Sequence, residues 1–150
     1  MLETFLQSHT GVLFGQLVLA MVLGSLLGLE RSIVAGKTAG VRTYALVTIG
    51  SCLFVISALA ASVLIIAGGI ITGIGFLGAG LIIKEGDQQP HGLTTAAGLW
   101  VSAGIGMAVG FGLSSVAVFA TFLTLFVFNV LWFFEDKLKK LSNLKGADNN

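Results

Sequence analysis

TYALVTIGSCLFVISALAASVLIIAGGIITGIGFLGAGLII, residues Thr43 to Ile83, carries no charged side chain, and it is bounded by Arg42 and Lys84. A helix crossing the hydrocarbon core of a bilayer needs roughly 20 apolar residues. The stretch is therefore long enough for two crossings. Gly68-Gly69 is its best break, which predicts helices over Thr43 to Ile66 and Ile70 to Lys84. Two further uncharged stretches run from Thr4 to Leu29 and from Gln88 to Phe134. The first predicts a crossing over Thr10 to Leu29. The second predicts crossings over Leu93 to Gly112 and Val116 to Phe134, joined by a tight turn at Leu113-Ser114-Ser115. The expected architecture is all-α, a polytopic transmembrane helical bundle of about five spans. Residues 1–134 form the transmembrane domain and residues 135–150 a polar tail.

Composition supports this. Hydrophobic residues make up 55% of the chain and charged residues 10%, against about 25% charge in a soluble domain. Too few polar side chains exist to coat a water-facing surface, so the lipid bilayer is the first expected partner. The net charge of +1 gives no reason to expect nucleic acid. The single cysteine, Cys52, excludes an internal disulfide and a cysteine-cluster metal site. A secretory leader needs a basic start. The chain opens Met1-Leu2-Glu3-Thr4, so the first hydrophobic stretch is expected to remain as a helix.

Orientation follows from the basic residues. Arg31, Lys37 and Arg42 lie in the segment ERSIVAGKTAGVR (Glu30 to Arg42), Lys84 flanks the next loop, and Lys137, Lys139, Lys140 and Lys145 lie in the tail. With five spans all of them share one side. The positive-inside rule makes that side the cytoplasm, placing the N-terminus outside and the C-terminus inside. Trp132, Phe133 and Phe134 stand where the last span leaves the membrane, at aromatic-belt depth. Leu138 and Leu141, beside lysines, are spaced for a short helix on the anionic inner leaflet.

Glycine is abundant, with 21 residues, several at i, i+4 spacing such as Gly24 and Gly28. Lipid offers helices no hydrophobic reason to associate, so close backbone approach must supply the attraction. Gly24, Gly28, Gly73, Gly75, Gly78 and Gly80 are the expected packing positions. The small-sided third and fourth spans are expected at the bundle centre. The bulky fifth span, with Phe119, Phe122, Phe126 and Phe128, is expected to face lipid. Gly73 to Gly78 also fits the dinucleotide fingerprint G-x-G-x-x-G, but that motif needs a preceding strand and a later acid. Inside an apolar span it carries no such meaning.

Polar chemistry is sparse. Glu30 ends a membrane helix, where the negative helix pole disfavours an anion, and it lies near hydrocarbon, where ionisable groups are costly and often functional. An interfacial ion pair with Arg31 or Arg42 is one reading. A polar cluster of Glu30, Arg31, Arg42 and Thr43 with the second loop is the other. Thr94 and Thr95 open the fourth span, where hydroxyls cap free amides and where anions are attracted. Trp100 lies too deep for a belt position and lines a groove or fills a gap opposite glycine. His9 and His91 fall on opposite membrane faces and cannot share a metal. No catalytic set, metal site or cofactor site is expected.

Four motifs occur in order: Gly28-Leu29-Glu30-Arg31; Gly40-Val41-Arg42-Thr43-Tyr44-Ala45-Leu46-Val47; Gly73-Ile74-Gly75-Phe76-Leu77-Gly78-Ala79-Gly80; and Gly92-Leu93-Thr94-Thr95-Ala96-Ala97-Gly98-Leu99-Trp100-Val101. Through them the chain resembles the MgtC/SapB family of bacterial membrane proteins, over Gly11 to Gly112. The resemblance implies a five-helix domain of the bacterial inner membrane with its motif residues toward the cytoplasm. The family's virulence-linked branch is associated with growth at low magnesium and acts on the F-type ATP synthase by binding it. This chain carries Thr94 where that branch has Asn and Val101 where it has Cys, and it reads as a short form without that branch's soluble C-terminal domain. The resemblance thus implies a non-enzymatic regulatory or interaction role linked to magnesium homeostasis or stress adaptation, with another membrane protein complex or a second copy as partner. The alternative is a small oligomeric transporter or channel for a cation.

Overall fold

The computed structural model describes residues 2–34, 39–63, 65–82, 91–134 and 137, without the side chains of residues 2–9, 34, 66 and 67. Among the described residues five helices are present: α1 (Leu2–Val34), α2 (Val41–Ala60), α3 (Ile65–Leu81), α4 (Leu93–Gly110) and α5 (Ser114–Phe126). Helix α5 continues through a wider π-helical turn at Val127–Leu131. Among the described residues four segments are long and apolar enough to cross a membrane: Thr10–Ile33, Val41–Ala60, Leu93–Gly110 and Ser114–Phe134. Helix α3 contributes the shorter apolar run Gly68–Leu81. This is the expected all-α membrane bundle.

Several boundaries differ from the sequence reading. Helix α1 does not stop at Leu29. It runs through Glu30 and Arg31 to Val34, so both charged residues stand on a helix and not in a loop. The Ser32 hydroxyl donates to the Gly28 carbonyl at 2.9 Å within the added turn. The chain does not turn at Gly68-Gly69 either, since both lie inside α3. It turns at Ala61-Ser62-Val63, whose amides donate to the carbonyls of Ser57, Leu59 and Ala58. Ser62 takes the left-handed conformation, φ 56°, that ends many helices and usually falls to glycine. The expected end of the third span at Lys84, the loop from Glu85 and the tail residues Leu138 and Leu141 lie outside the described residues.

Helix α4 is the centre. It packs against α1, α2, α3 and α5. Helix α3 is peripheral and not central as expected: Ile65 is 84% and Phe76 81% exposed. Its small side faces outward and so gathers no neighbours. On α5, Phe119, Phe122 and Phe126 point outward as expected, but Phe128 is buried. It completes the inward stripe Ala117, Thr121, Thr124, Phe128, whose 4-3-4 spacing follows one helical face.

Contacts fix the helix directions. Tyr44 meets Gly98, Thr48 meets Gly106 and Cys52 meets Gly110, so α2 and α4 run parallel. Gly24 meets Thr48 and Gly28 meets Val41, so α1 is antiparallel to α2. Leu81 meets Gly92 and Phe128 meets Gly98, which sets α3 and α5 antiparallel to α4. Glu30, Arg31, Arg42, His91 and Lys137 consequently gather toward one end of the bundle.

The close approaches require glycine. A Cβ on Gly24 would lie 2.8 Å from the Tyr44 carbonyl oxygen, and one on Gly28 would lie 2.6 Å from Val41 Cα. One on Gly106 would collide with the Thr48 carbonyl, and one on Gly110 would lie 2.8 Å from the Cys52 carbonyl oxygen. Gly73, Gly75 and Gly80, by contrast, have nothing within 4 Å, and Gly78 has only Ala96 Cβ at 3.6 Å. Gly24 and Gly28 thus sit at seams, whereas the α3 glycines line its open side.

Candidate functional site

The charged end of the bundle is built from α1 inward. The last turns of α1 carry Glu30 and Arg31, whose side chains are only 8% and 11% exposed. The Arg31 guanidinium carbon sits 4.8 Å from the centroid of the Phe128 ring, within cation–π range. Its Nη1 is 3.8 Å from Glu30 Oε2, too far for a hydrogen bond. Both Glu30 carboxylate oxygens and Arg31 Nε are buried without a hydrogen-bond partner. Unpaired buried charge is expensive, which marks this pair as more than packing.

Phe128 rests on Gly98. A Cβ at Gly98 would lie 2.7 Å from Phe128 Cζ and would collide with the Tyr44 hydroxyl. Only a bare backbone lets Tyr44 of α2 and Phe128 of α5 meet over α4. Tyr44 is fully buried, and its hydroxyl donates to the Thr95 carbonyl at 3.3 Å. One turn deeper, the Thr48 and Ser102 hydroxyls lie 2.5 Å apart. Both reach the Tyr44 carbonyl, at 2.8 and 3.3 Å. Hydrogen bonds between membrane helices are worth about 0.6 kcal/mol on average, so this knot sets register more than it supplies stability. Toward the other end, Gln16 Nε2 donates to the Val109 carbonyl at 2.9 Å and pins α1 to α4.

Of the residues singled out in the sequence, Glu30 and Arg31 come together, and Thr95 is buried with its carbonyl bonded by Tyr44. Arg42, Thr43 and Thr94 are exposed. No ion pair joins Arg42 to Glu30 among the described residues, because Glu30 points into the bundle while Arg42 opens α2 on its surface. Neither Thr94 nor Thr95 caps α4: Gly92, φ 92°, stands at that position with no side-chain cap bond. Trp100 is 55% exposed and faces a groove of about 320 Å³ between α3 and α4, with Ile74, Gly104 and Met107. The sequence reading missed Tyr44, Thr48, Gly98, Ser102 and Phe128. Tyr44 and Gly98 were inside quoted motifs, and Phe128 was findable from the α5 stripe. Nothing in the sequence paired Thr48 with Ser102.

Exposed Arg42 supports one expectation. Arg42→Ala should leave stability within about 0.5 kcal/mol of the parent while impairing function, read by unfolding in detergent alongside a complementation assay. A loss of stability equal to the loss of function would contradict it.

The profile of the MgtC family matches residues 17–137. The chain belongs to the MgtC family. The match runs past Gly112 through α5, so Phe128 and every helix except the first part of α1 fall within the MgtC family region. A protein named SrpB from Synechococcus elongatus is 38% identical over 131 residues, 73% of this chain and 69% of that one. The protein named MgtC of Salmonella typhimurium is 47% identical over 87 residues, 56% of this chain and 37% of its own length. An uncharacterized protein of Haemophilus influenzae is 40% identical over 102 residues, 59% of this chain and 42% of that one. The match thus spans less than half of the Salmonella and Haemophilus relatives. No solved structure matches the chain. Among the described residues no group of three or more His, Cys, Asp and Glu could hold a metal ion.

Proposed function

We propose that this MgtC-type protein is a non-enzymatic regulatory or interaction protein of the bacterial inner membrane, acting on another membrane complex during adaptation to magnesium supply or stress. The observation that carries the reading is the division between a filled interior and an open flank. Inside, Arg31 lies on the Phe128 ring and the Thr48 and Ser102 hydroxyls bond to each other and to the Tyr44 carbonyl. A cavity of about 670 Å³ lies between α2 and α3, on the outer side of the bundle, where Leu46 and Phe54 are 68% and 55% exposed. A protein built to conduct would reverse this arrangement. An F-type ATP synthase is the partner implied for the family's virulence-linked branch; for this chain the class is a membrane protein complex, with self-association as the other form of contact.

Orientation belongs to the same reading, with the N-terminus outside and the C-terminus in the cytoplasm. The alternating helix directions and the shared end of Arg31, Arg42 and Lys137 support it. Single cysteines introduced at Lys37 and Lys140 should both be labelled only from the cytoplasmic side. Labelling from opposite sides would overturn it. For the interaction role, crosslinking followed by pull-down from mild detergent should recover a membrane complex. Recovery of nothing beyond the protein itself, with function intact, would count against the role.

A small oligomeric cation transporter is the second reading, favoured by the buried carboxylate of Glu30, whose oxygens accept no hydrogen bond. Flux of magnesium, potassium or protons into proteoliposomes would support it, and no flux with inserted protein would remove it.

A further inference from the structure

Glu30 is the one carboxylate among the described side chains that lies inside a helix, is more than nine-tenths buried, and has neither oxygen hydrogen-bonded. Burying a charged carboxylate without donors costs several kcal/mol, whereas the neutral acid costs far less. The neighbouring cation does not resolve the matter. Arg31 holds its guanidinium over the Phe128 ring at 4.8 Å and stays 3.8 Å from the carboxylate. The guanidinium thus stands between two partners, within ion-pair range of the carboxylate but beyond the about 2.7–2.9 Å of a charge-assisted hydrogen bond.

We propose that Glu30 is a proton-binding site, and that its protonation state selects which of two partners, the Phe128 ring or the Glu30 carboxylate, holds the Arg31 guanidinium. The inference rests on reading this cluster as the functional site and adds its regulation. Other titratable and charged groups among the described residues are exposed or uncharged. On α2, Tyr44 is neutral and bonded to Thr95, and Arg42 is exposed. Helix α4 presents no charged side chain, and His91 before it is exposed. The inward stripe of α5 is uncharged, and Lys137 beyond it is exposed. Among the described residues Glu30 and Arg31 are thus the only charged pair inside.

The consequence reaches α5. Phe128 sits in the π-helical turn and is clamped between Arg31 and Gly98. When Glu30 loses its proton, Arg31 swings to the carboxylate and one side of the clamp opens. The end of α5, with its exposed Trp132, Phe133 and Phe134, is then released. At lower pH the proton returns and the clamp closes. Proton supply at the charged end of the bundle would in this way be reported at the membrane boundary of α5, where a partner could read it.

The test uses the full chain in lipid nanodiscs with Trp100→Phe, leaving Trp132 as the only tryptophan. The carboxylic-acid carbonyl band in the infrared and Trp132 emission are followed as pH is raised. Both should change together with one midpoint. The chain carries seven Asp and Glu, so the Glu30 component is the part of the band lost in Glu30→Gln, where emission should stay at its low-pH value. In Phe128→Leu that component should still titrate while the Trp132 response is lost. A titrating band of the same amplitude in Glu30→Gln as in the parent, a Glu30 component whose midpoint differs from that of Trp132 emission, or an unchanged Trp132 response in Phe128→Leu would each overturn the proposal. A failed pull-down leaves this readout untouched, so the two readings fail separately.

Discussion

Gly106→Ala is expected to destabilise the bundle by about 3 kcal/mol, at the upper end of ordinary overpacking costs, while Gly80→Ala is expected to be neutral or stabilising by up to about 1 kcal/mol. The added methyl is the same and only its surroundings differ. At Gly106 it would be driven into the Thr48 carbonyl, a backbone group that cannot rotate away, and its carbon would lie 2.9 Å from the Thr48 carbonyl carbon. Accommodation requires α2 and α4 to part. Parting them also stretches the Thr48–Ser102 contact and the Tyr44–Thr95 bond, both of which join the same two helices. At Gly80 nothing stands within 4 Å, so the methyl meets lipid and only the gain in helix propensity remains. Reversible unfolding in mixed detergent micelles measures the difference. Equal effects at the two positions would show that α2 and α4 are not in backbone contact.

Arg31→Ala should cost about 3–5 kcal/mol above the pH at which Glu30 loses its proton, the range for breaking a buried ionic pair by removing one partner. The loss has a different origin on each side of that pH. Below it the Phe128 ring loses a cation, worth about 2 kcal/mol where desolvated. Above it Glu30 is left buried with no positive charge near it. The second loss predicts its own remedy: Glu30→Gln in the Arg31→Ala background should recover part of the stability, because no charge is then stranded. Arg31→Lys should restore less than the charge count suggests, since an ammonium lacks the flat face that stacks on a ring. A double variant no more stable than Arg31→Ala alone would mean that Glu30 and Arg31 are energetically independent.

The spans and the two charged residues were legible because lipid punishes stray charge severely enough to write it into composition. Thr43 to Ile83 could hold only helices. Its internal turn was not legible. Glycine pairs mark turns in water, whereas in a membrane helix glycine is tolerated wherever packing or lipid surrounds it. The real turn uses Ser62, an unremarkable residue held in the left-handed region by three amide bonds to the end of α2. Counting glycines likewise misplaced the centre. Gly73, Gly75 and Gly80 look identical to Gly98 and Gly106 in one dimension, and only tertiary contact separates an open flank from a seam. Arg31 could be picked out by its charge. That its partner would be a phenylalanine nearly a hundred positions away could not, because cation–π pairing leaves no local spacing to recognise.

Helix α3 has a consequence of its own. Its 17 residues rise about 25 Å at 1.5 Å each, against about 30 Å of hydrocarbon. Under the proposed five-span topology, the acyl tails beside this helix would have to shorten or splay to meet it, at a cost of fractions of a kcal/mol for each ångström of mismatch. The surrounding leaflets would then be dimpled on the α3 flank. Thin membranes would relieve that deformation, and so would a neighbour that shares it, which would give the molecule a preferred side for company before any specific contact is made.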